Sequence, residues 1–191
     1  PPTGLALDSG GNLYIADGSR IRQVNAGGTI TTFAGGGTST DEGAAALSAS
    51  LFQAGSLAVD AQGNVYVDQL ARGSRISVAT QPLSTVAGTG ARGYSGDNGP
   101  AADAQLASPY GLAIDRQGNL LIADLGNKVV RRVTPQGRIP TFPGGGAAPA
   151  SAQSEGPAAT PVSFQHPRHA PVHPHHTAPN SCYIRPPPCR G

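Results

Sequence analysis

The sequence contains no methionine and no tryptophan, and aromatic residues make up only 5% of its 191 residues. Charged residues are also scarce, at 13%, whereas there are 27 glycines and 18 prolines. Because glycine and proline weaken helices, this composition argues against a helical protein and indicates a turn-rich, all-β fold. The absence of methionine predicts that the chain is a processed product or a fragment of a longer protein.

Charge of one sign is also lacking over most of the chain. Residues 1–146 carry ten Lys or Arg and ten Asp or Glu, so the net charge of +2 arises in residues 147–191. A nucleic-acid-binding domain needs a strong positive field, and the sequence therefore argues against a nucleic-acid partner. No basic segment followed by an apolar segment marks a signal peptide in the sequence, and no apolar run is long enough to cross a membrane.

Catalytic and metal-binding signatures are absent as well. There is no Gly-x-Ser-x-Gly and no His-Glu-x-x-His, and the five histidines all lie between residues 166 and 176. In proline-rich surroundings these histidines offer only adventitious metal binding, because a folded site must hold its ligands at fixed angles. The two cysteines, Cys182 and Cys189, do not identify a compartment. The sequence therefore predicts no resident metal or cofactor.

What the sequence does contain is a long internal repeat. Residues 111–124 have the sequence Gly-Leu-Ala-Ile-Asp-Arg-Gln-Gly-Asn-Leu-Leu-Ile-Ala-Asp. Closely related sequences occur at residues 4–17 and 56–69. A fixed period near 50 residues with strand-like text indicates a repeat architecture.

Each copy predicts a β-hairpin in which an Asp-x-x-Gly-Asn turn joins two short apolar strands. The aspartate can accept backbone N–H groups of its own turn, and glycine supplies the positive φ that the turn needs. A calcium loop is rejected because the alternating oxygen ligands and the closing glutamate are missing. The predicted structural turn residues are Asp8, Gly11, Asn12, Asp60, Gly63, Asn64, Asp115, Gly118 and Asn119.

Two further short strands follow each hairpin, which gives four strands per copy, the content of one β-propeller blade. The predicted divisions are blades at residues 1–37, 56–90 and 111–146, a connector at 38–55, an inter-blade loop at 91–110, and a Pro/His-rich tail at 147–191. Residues 41–52 are alanine-rich and are compatible with a short helix. The tail begins as a degenerate fourth blade and is predicted to be disordered.

The repeat, followed by Arg-Ile-Arg-Gln-Val at residues 20–24, resembles the NHL repeat. The insert Gly-Tyr-Ser-Gly-Asp-Asn-Gly-Pro-Ala-Ala at residues 93–102 resembles the inter-blade segment of bacterial, teneurin-like NHL proteins. The resemblance covers about residues 4–146 and the first dozen residues of the tail. It implies a β-propeller, usually of six blades, in proteins that are often exported. It also implies a role in binding or scaffolding.

Three blades are fewer than the four to eight that close a propeller. We therefore expect a partial propeller whose open blade edges can drive self-association.

Asp17 and Asp124 end the second strand of their blades, a position that can line the central channel or one face of a propeller, and are candidate ligand contacts. The alternative is an aspartate that caps backbone N–H groups. The second copy has Gln69 at this position, which argues against a ring of metal ligands.

The inter-blade loop supplies four more candidate contacts, namely Arg92, Tyr94, Asp97 and Asn98. The alternative is that they only build the connector. The arginines of the third strands, Arg20, Arg22, Arg75, Arg131 and Arg132, are expected to be solvated residues with local ion pairs.

These observations favour a non-catalytic module that binds a protein or glycan. One alternative is a fragment of a six-bladed, metal-dependent lactonase- or lyase-like enzyme. A second alternative is an RNA-binding NHL propeller.

Overall fold

The structure, a computed structural model, describes residues 1–80 and 82–140. This part of the chain forms three antiparallel sheets. The first contains β1 (Pro2–Leu7), β2 (Leu13–Asp17), β3 (Arg20–Val24) and β4 (Ile30–Gly35). The second contains β5 (Leu57–Val59), β6 (Val65–Gln69), β7 (Arg72–Ile76) and β8 (Leu83–Ala87), and the third contains β9 (Pro109–Ile114), β10 (Leu120–Asp124) and β11 (Val129–Val133). Helix is limited here to two short 3₁₀ turns, Ala101–Asp103 and Leu125–Asn127.

Within each sheet the strands are paired in chain order, so each sheet is a simple up-and-down meander. Three consecutive meanders of this kind are blades of a propeller, and the prediction of an all-β partial propeller is confirmed. Of the predicted fourth strand of the third blade, residues 138–142, the structure describes 138–140, where Arg138 forms an isolated bridge with Pro100. The predicted disordered tail, residues 147–191, lies outside the described residues. The exact blade and connector boundaries stay predictions.

The hairpin turns between the first and second strands are held by one aspartate each. Asp8 accepts hydrogen bonds from the N–H groups of Gly10 and Asn12 on Oδ1, at 2.9 and 2.8 Å. Its Oδ2 accepts from the Asn12 side chain at 2.8 Å. Asp60 and Asp115 make the same three kinds of bond in the other blades. The turn thus satisfies its own backbone donors, which fixes where the second strand begins.

The core lies between the blades and is shared with the connectors. Between the first two blades, Tyr14 packs edge-on against Phe33 at 5.0 Å between ring centroids. Leu51 of the first connector, residues 38–55, is buried with them. Leu106 of the inter-blade loop, residues 91–110, which serves as the second connector, is buried at the corresponding place between the second and third blades. Each connector therefore contributes a leucine to the interface that joins two blades.

The connectors dock on the outer side of the blade that follows them. In the first connector, Gly43 donates a backbone hydrogen bond to Leu83 O at 2.9 Å, and Leu83 donates to Ala44 O at 2.8 Å. In the inter-blade loop, Asn98 likewise donates to Ile139 O at 2.9 Å, and Ile139 donates to Gly99 O at 3.1 Å.

The helix considered for residues 41–52 is wrong, since these residues form turns and isolated bridges. Their backbone groups bond to neighbouring strands, and Gly43 has a φ of 79°, which a right-handed helix does not allow. Tertiary hydrogen bonds have overridden the helix propensity of alanine.

Candidate functional site

The first strands of the three blades, β1, β5 and β9, lie side by side along the inner edge of the arc. Together with the ends of the connectors they line a groove of about 1170 Å³. Its wall is largely apolar and includes Leu5 and Leu7, which are more than half exposed. The charged side chains on this wall are Asp68 and Arg92, and Tyr110 adds a half-exposed phenol ring. An apolar groove with few polar groups is typical of a binding site.

Asp68 is the most unusual residue of the groove. Its side chain is 2% exposed, and Oδ1 accepts the backbone N–H of Ser56 at 2.6 Å. Its Oδ2 has no hydrogen-bond partner among the described residues. Burial raises the pKa of this carboxyl to about 7, although backbone N–H groups of Ser56 and Gly55 act in the opposite direction. Burial without a compensating cation is a costly arrangement for a carboxylate.

The repeat shows how the second blade makes room for this carboxyl. Asp68 occupies the position of Ala16 and Ala123, which pair with the equivalent first-strand residues Gly4 and Gly111. The preceding first-strand residue is Thr3 in blade one, Tyr110 in blade three, and Gly55 in blade two. A Cβ added to Gly55 would clash with Asp68 Oδ1. Asp68 is not among the predicted site residues. Its signal in the sequence is the joint change, relative to the other two copies, of alanine to aspartate at position 68 and of a larger residue to glycine at position 55.

This pairing predicts a reciprocal effect of two substitutions. Gly55→Ala is expected to lower the free energy of unfolding by about 2 kcal/mol, because the new methyl group overpacks the site. Adding Asp68→Ala is expected to recover most of that loss, since alanine is the residue the other blades carry there. Urea unfolding of the two single variants and the double variant measures the coupling.

Gly73→Ala is the matched control, because a Cβ there meets its neighbours only at ordinary contact distances, 3.7 Å or more. Purely additive losses in the double variant would contradict the pairing.

The predicted contacts at the ends of the second strands behave differently in each blade. Asp124 is fully buried, and its Oδ1 accepts the N–H of Ala107 at 2.7 Å while Oδ2 accepts from Asn127 at 2.8 Å. Burial raises the pKa of Asp124, and these hydrogen bonds work against that rise. In the second blade Gln69 Oε1 accepts the equivalent connector N–H, that of Phe52, at 3.1 Å. In both blades the strand end therefore holds the incoming connector.

Asp17 ends β2 and is exposed. The structure brings neither Asp17 nor Asp124 into the wall of the groove.

The inter-blade loop surrounds an arginine of the third blade. Arg131, 3% exposed, donates from Nη2 to Asp97 Oδ1 at 2.5 Å and to Ser95 O at 3.2 Å. Its Cζ lies 4.8 Å from the centre of the Tyr94 ring, a cation–π contact. The expectation of a solvated arginine is thus wrong for Arg131, because the connector folds over it and supplies a carboxylate and backbone carbonyls.

The four candidates of this loop therefore separate into different roles. Tyr94 and Asp97 enclose Arg131, and the backbone of Asn98 accepts from Arg138 and donates to Ile139. Arg92 alone lies on the wall of the groove. The loop does not present them as one contact patch.

Within residues 1–80 and 82–140, no group of three or more His, Cys, Asp or Glu side chains is close enough to hold a metal ion. Nor does this part of the chain contain a helix of the length and hydrophobicity needed to span a bilayer.

No protein-family model matches the chain. Among curated proteins, it is 37% identical over 59 residues to Protein SUPPRESSOR OF QUENCHING 1, chloroplastic, of Arabidopsis thaliana, a match covering 31% of this chain and 5% of that protein. The chain thus spans a small part of the curated relative it matches.

Solved structures resemble the fold over a longer stretch. An auxiliary nutrient binding protein from Bacteroides ovatus matches with a TM-score of 0.54 and 18% identity, over 76% of this chain and 36% of that protein. Its counterpart from Bacteroides thetaiotaomicron matches with a TM-score of 0.53 and 18% identity, over 75% of this chain and 36% of that protein. The chain spans about a third of these proteins, and at this identity the likeness concerns the fold alone. Fold and comparisons together define the class: a partial β-propeller.

Proposed function

We propose that this chain is part of an NHL-type propeller that acts as a non-catalytic module and binds a protein or glycan ligand in the inner-strand groove. The observation that carries the proposal is the groove itself, whose largely apolar wall includes one buried carboxyl, Asp68, and one arginine, Arg92. Leu5 and Leu7 also line it and expose 63% and 65% of their surface, but the equivalent residues of the next blades, Leu57 and Leu112, are buried between blades, so this exposure belongs to the open flank of the first blade.

The roles of the other polar candidates support the same conclusion. Asp124 holds a connector, while Tyr94 and Asp97 enclose Arg131, so the described contacts of these residues are structural. That leaves the groove as the part of the described surface with the features of a ligand site. The repeat text and the inter-blade insert support assignment to the NHL type, and export from the cell is an expectation of that assignment.

The experiment is a binding screen of the full chain against arrays of defined glycans and peptides. Leu5→Arg is the test variant, because it adds bulk and charge on the groove wall at a residue that is already exposed. Leu47→Arg is the matched control, since Leu47 is 56% exposed and lies outside the groove wall.

A ligand that binds the native chain and the Leu47 variant, but at least tenfold more weakly to the Leu5 variant, is the expected result. Equal binding by both variants would place the ligand elsewhere and overturn the proposal. Conversion of the ligand, detected by mass spectrometry, would favour the enzyme alternative.

A further inference from the structure

The Asp68 carboxyl has no counterpart in the other two blades. They place alanine there and keep the same strand register, with ladders that continue through that alanine, whereas the ladder of the second blade ends at Leu57 and Val67. Its Oδ1 is bonded to Ser56, while its buried Oδ2 lacks a described partner. Buried carboxylates are normally paired with a cation or fully hydrogen-bonded. Oδ2 of Asp68 therefore lacks the hydrogen-bond donor or cation that such an atom usually has.

The position of the Asp68 carboxyl indicates that a partner would approach it from the groove. Asp68 lies on the wall of the groove. Because side chains alternate along a strand, it shares a face of β6 with Tyr66, which packs against the core between the second and third blades. Departures from an otherwise consistent repeat that carry a stability penalty are expected at functional sites. Gly55 leaves space for the carboxyl, because a Cβ at that position would clash with Asp68 Oδ1.

We propose that Asp68 anchors a subsite in the groove that takes a primary ammonium group carried on an apolar body. A cation satisfies the free Oδ2 and neutralises the buried charge, which a neutral hydroxyl group does only in part. Because Oδ2 is buried, a ligand has to displace part of the lining to reach it, and the small ammonium group requires less displacement than the wider guanidinium. The apolar body of such a ligand packs on the leucines of the groove wall. This inference rests on the proposed function, since it names the chemistry of the same groove.

The test compares two probes that differ in one group, 2-phenylethylamine and 2-phenylethanol, by isothermal titration of the full chain at pH 8. We expect the amine to bind at least tenfold more tightly than the alcohol. Asp68→Asn, which keeps the shape of the side chain, is expected to abolish that preference. Asp68→Ala, the residue of the other blades, gives the same test if the amide itself disturbs the site.

Asp103→Asn is the matched control, because it removes one exposed carboxylate outside the groove wall and should leave the preference unchanged. Equal affinities of the two probes for the native chain, no detectable binding of either, or a preference that survives both Asp68 substitutions would each overturn the subsite.

Two-dimensional NMR of the same titrations separates the two proposals. If both probes shift the resonances of Leu57 and Leu112 with equal affinity, the groove binds ligands and the ammonium subsite is wrong. If array ligands are insensitive to Leu5→Arg as well, the proposed function itself fails.

Discussion

Replacing Asp97 with alanine is expected to lower the free energy of unfolding by about 3 kcal/mol. The substitution leaves the Arg131 guanidinium buried without the carboxylate that faces it, and an uncompensated buried charge is strongly destabilising. For a domain of this size the loss corresponds to a fall of roughly 10 °C in the melting temperature. Urea unfolding and thermal unfolding followed by circular dichroism both measure it.

The comparison variant is Glu42→Ala, in the corresponding place of the first connector. Glu42 accepts a hydrogen bond from Thr85 N–H at 2.9 Å but is exposed, so its loss is expected to stay below about 1 kcal/mol. Adding Arg131→Met to Asp97→Ala should restore part of the stability, because the lone charge is then removed. Equal effects of Asp97→Ala and Glu42→Ala would show that Arg131 is hydrated and that the connector does not enclose it.

Removing the Asp68 charge is expected to stabilise the protein increasingly as the pH rises. Burial raises the pKa of this carboxyl from 3.8 to about 7, so the folded state favours its protonated form. The stability that this preference contributes is fully present below pH 4 and is lost as the pH rises toward 7. The advantage of Asp68→Asn in free energy of unfolding should therefore grow from near zero at pH 4 to at most about 4 kcal/mol at pH 8.

Urea midpoints of the native chain and the variant, taken between pH 4 and pH 8, measure this difference. Asp103→Asn, which removes an exposed carboxylate outside the groove wall, is the control variant in the same measurement. A difference between native chain and Asp68→Asn that is constant with pH would mean that Asp68 is not held in an unfavourable charged state.

The fold could be predicted from the sequence because all three repeats contain the same turn motif flanked by the same pattern of apolar residues. Asp8 with its Gly and Asn partners specifies the turn, and the alternating residues around it specify two strands whose register the turn then fixes. The strand pattern of the three repeats therefore predicts three antiparallel meanders.

The connectors and the site could not be predicted in the same way, because both depend on contacts distant in sequence. The alanine-rich first connector has the composition of a helix, yet its backbone bonds to Leu83, about 40 residues away. Arg131 looks like any strand arginine until Asp97, 34 residues earlier, folds against it. In the sequence, Asp68 is only a position at which the second repeat differs from the other two. The structure adds that the side chain is packed beside Gly55 and that its buried Oδ2 has no partner among the described residues.

The most direct test of the account is the pKa of the Asp68 carboxyl, measured by ¹³C NMR titration of the full chain. We predict a value of about 7 in the free protein, followed by a fall of at least one unit when 2-phenylethylamine is present at saturating concentration. A value near 4 in the free protein would contradict the account, because it would mean that the carboxyl is already hydrated or paired and has no need of a ligand.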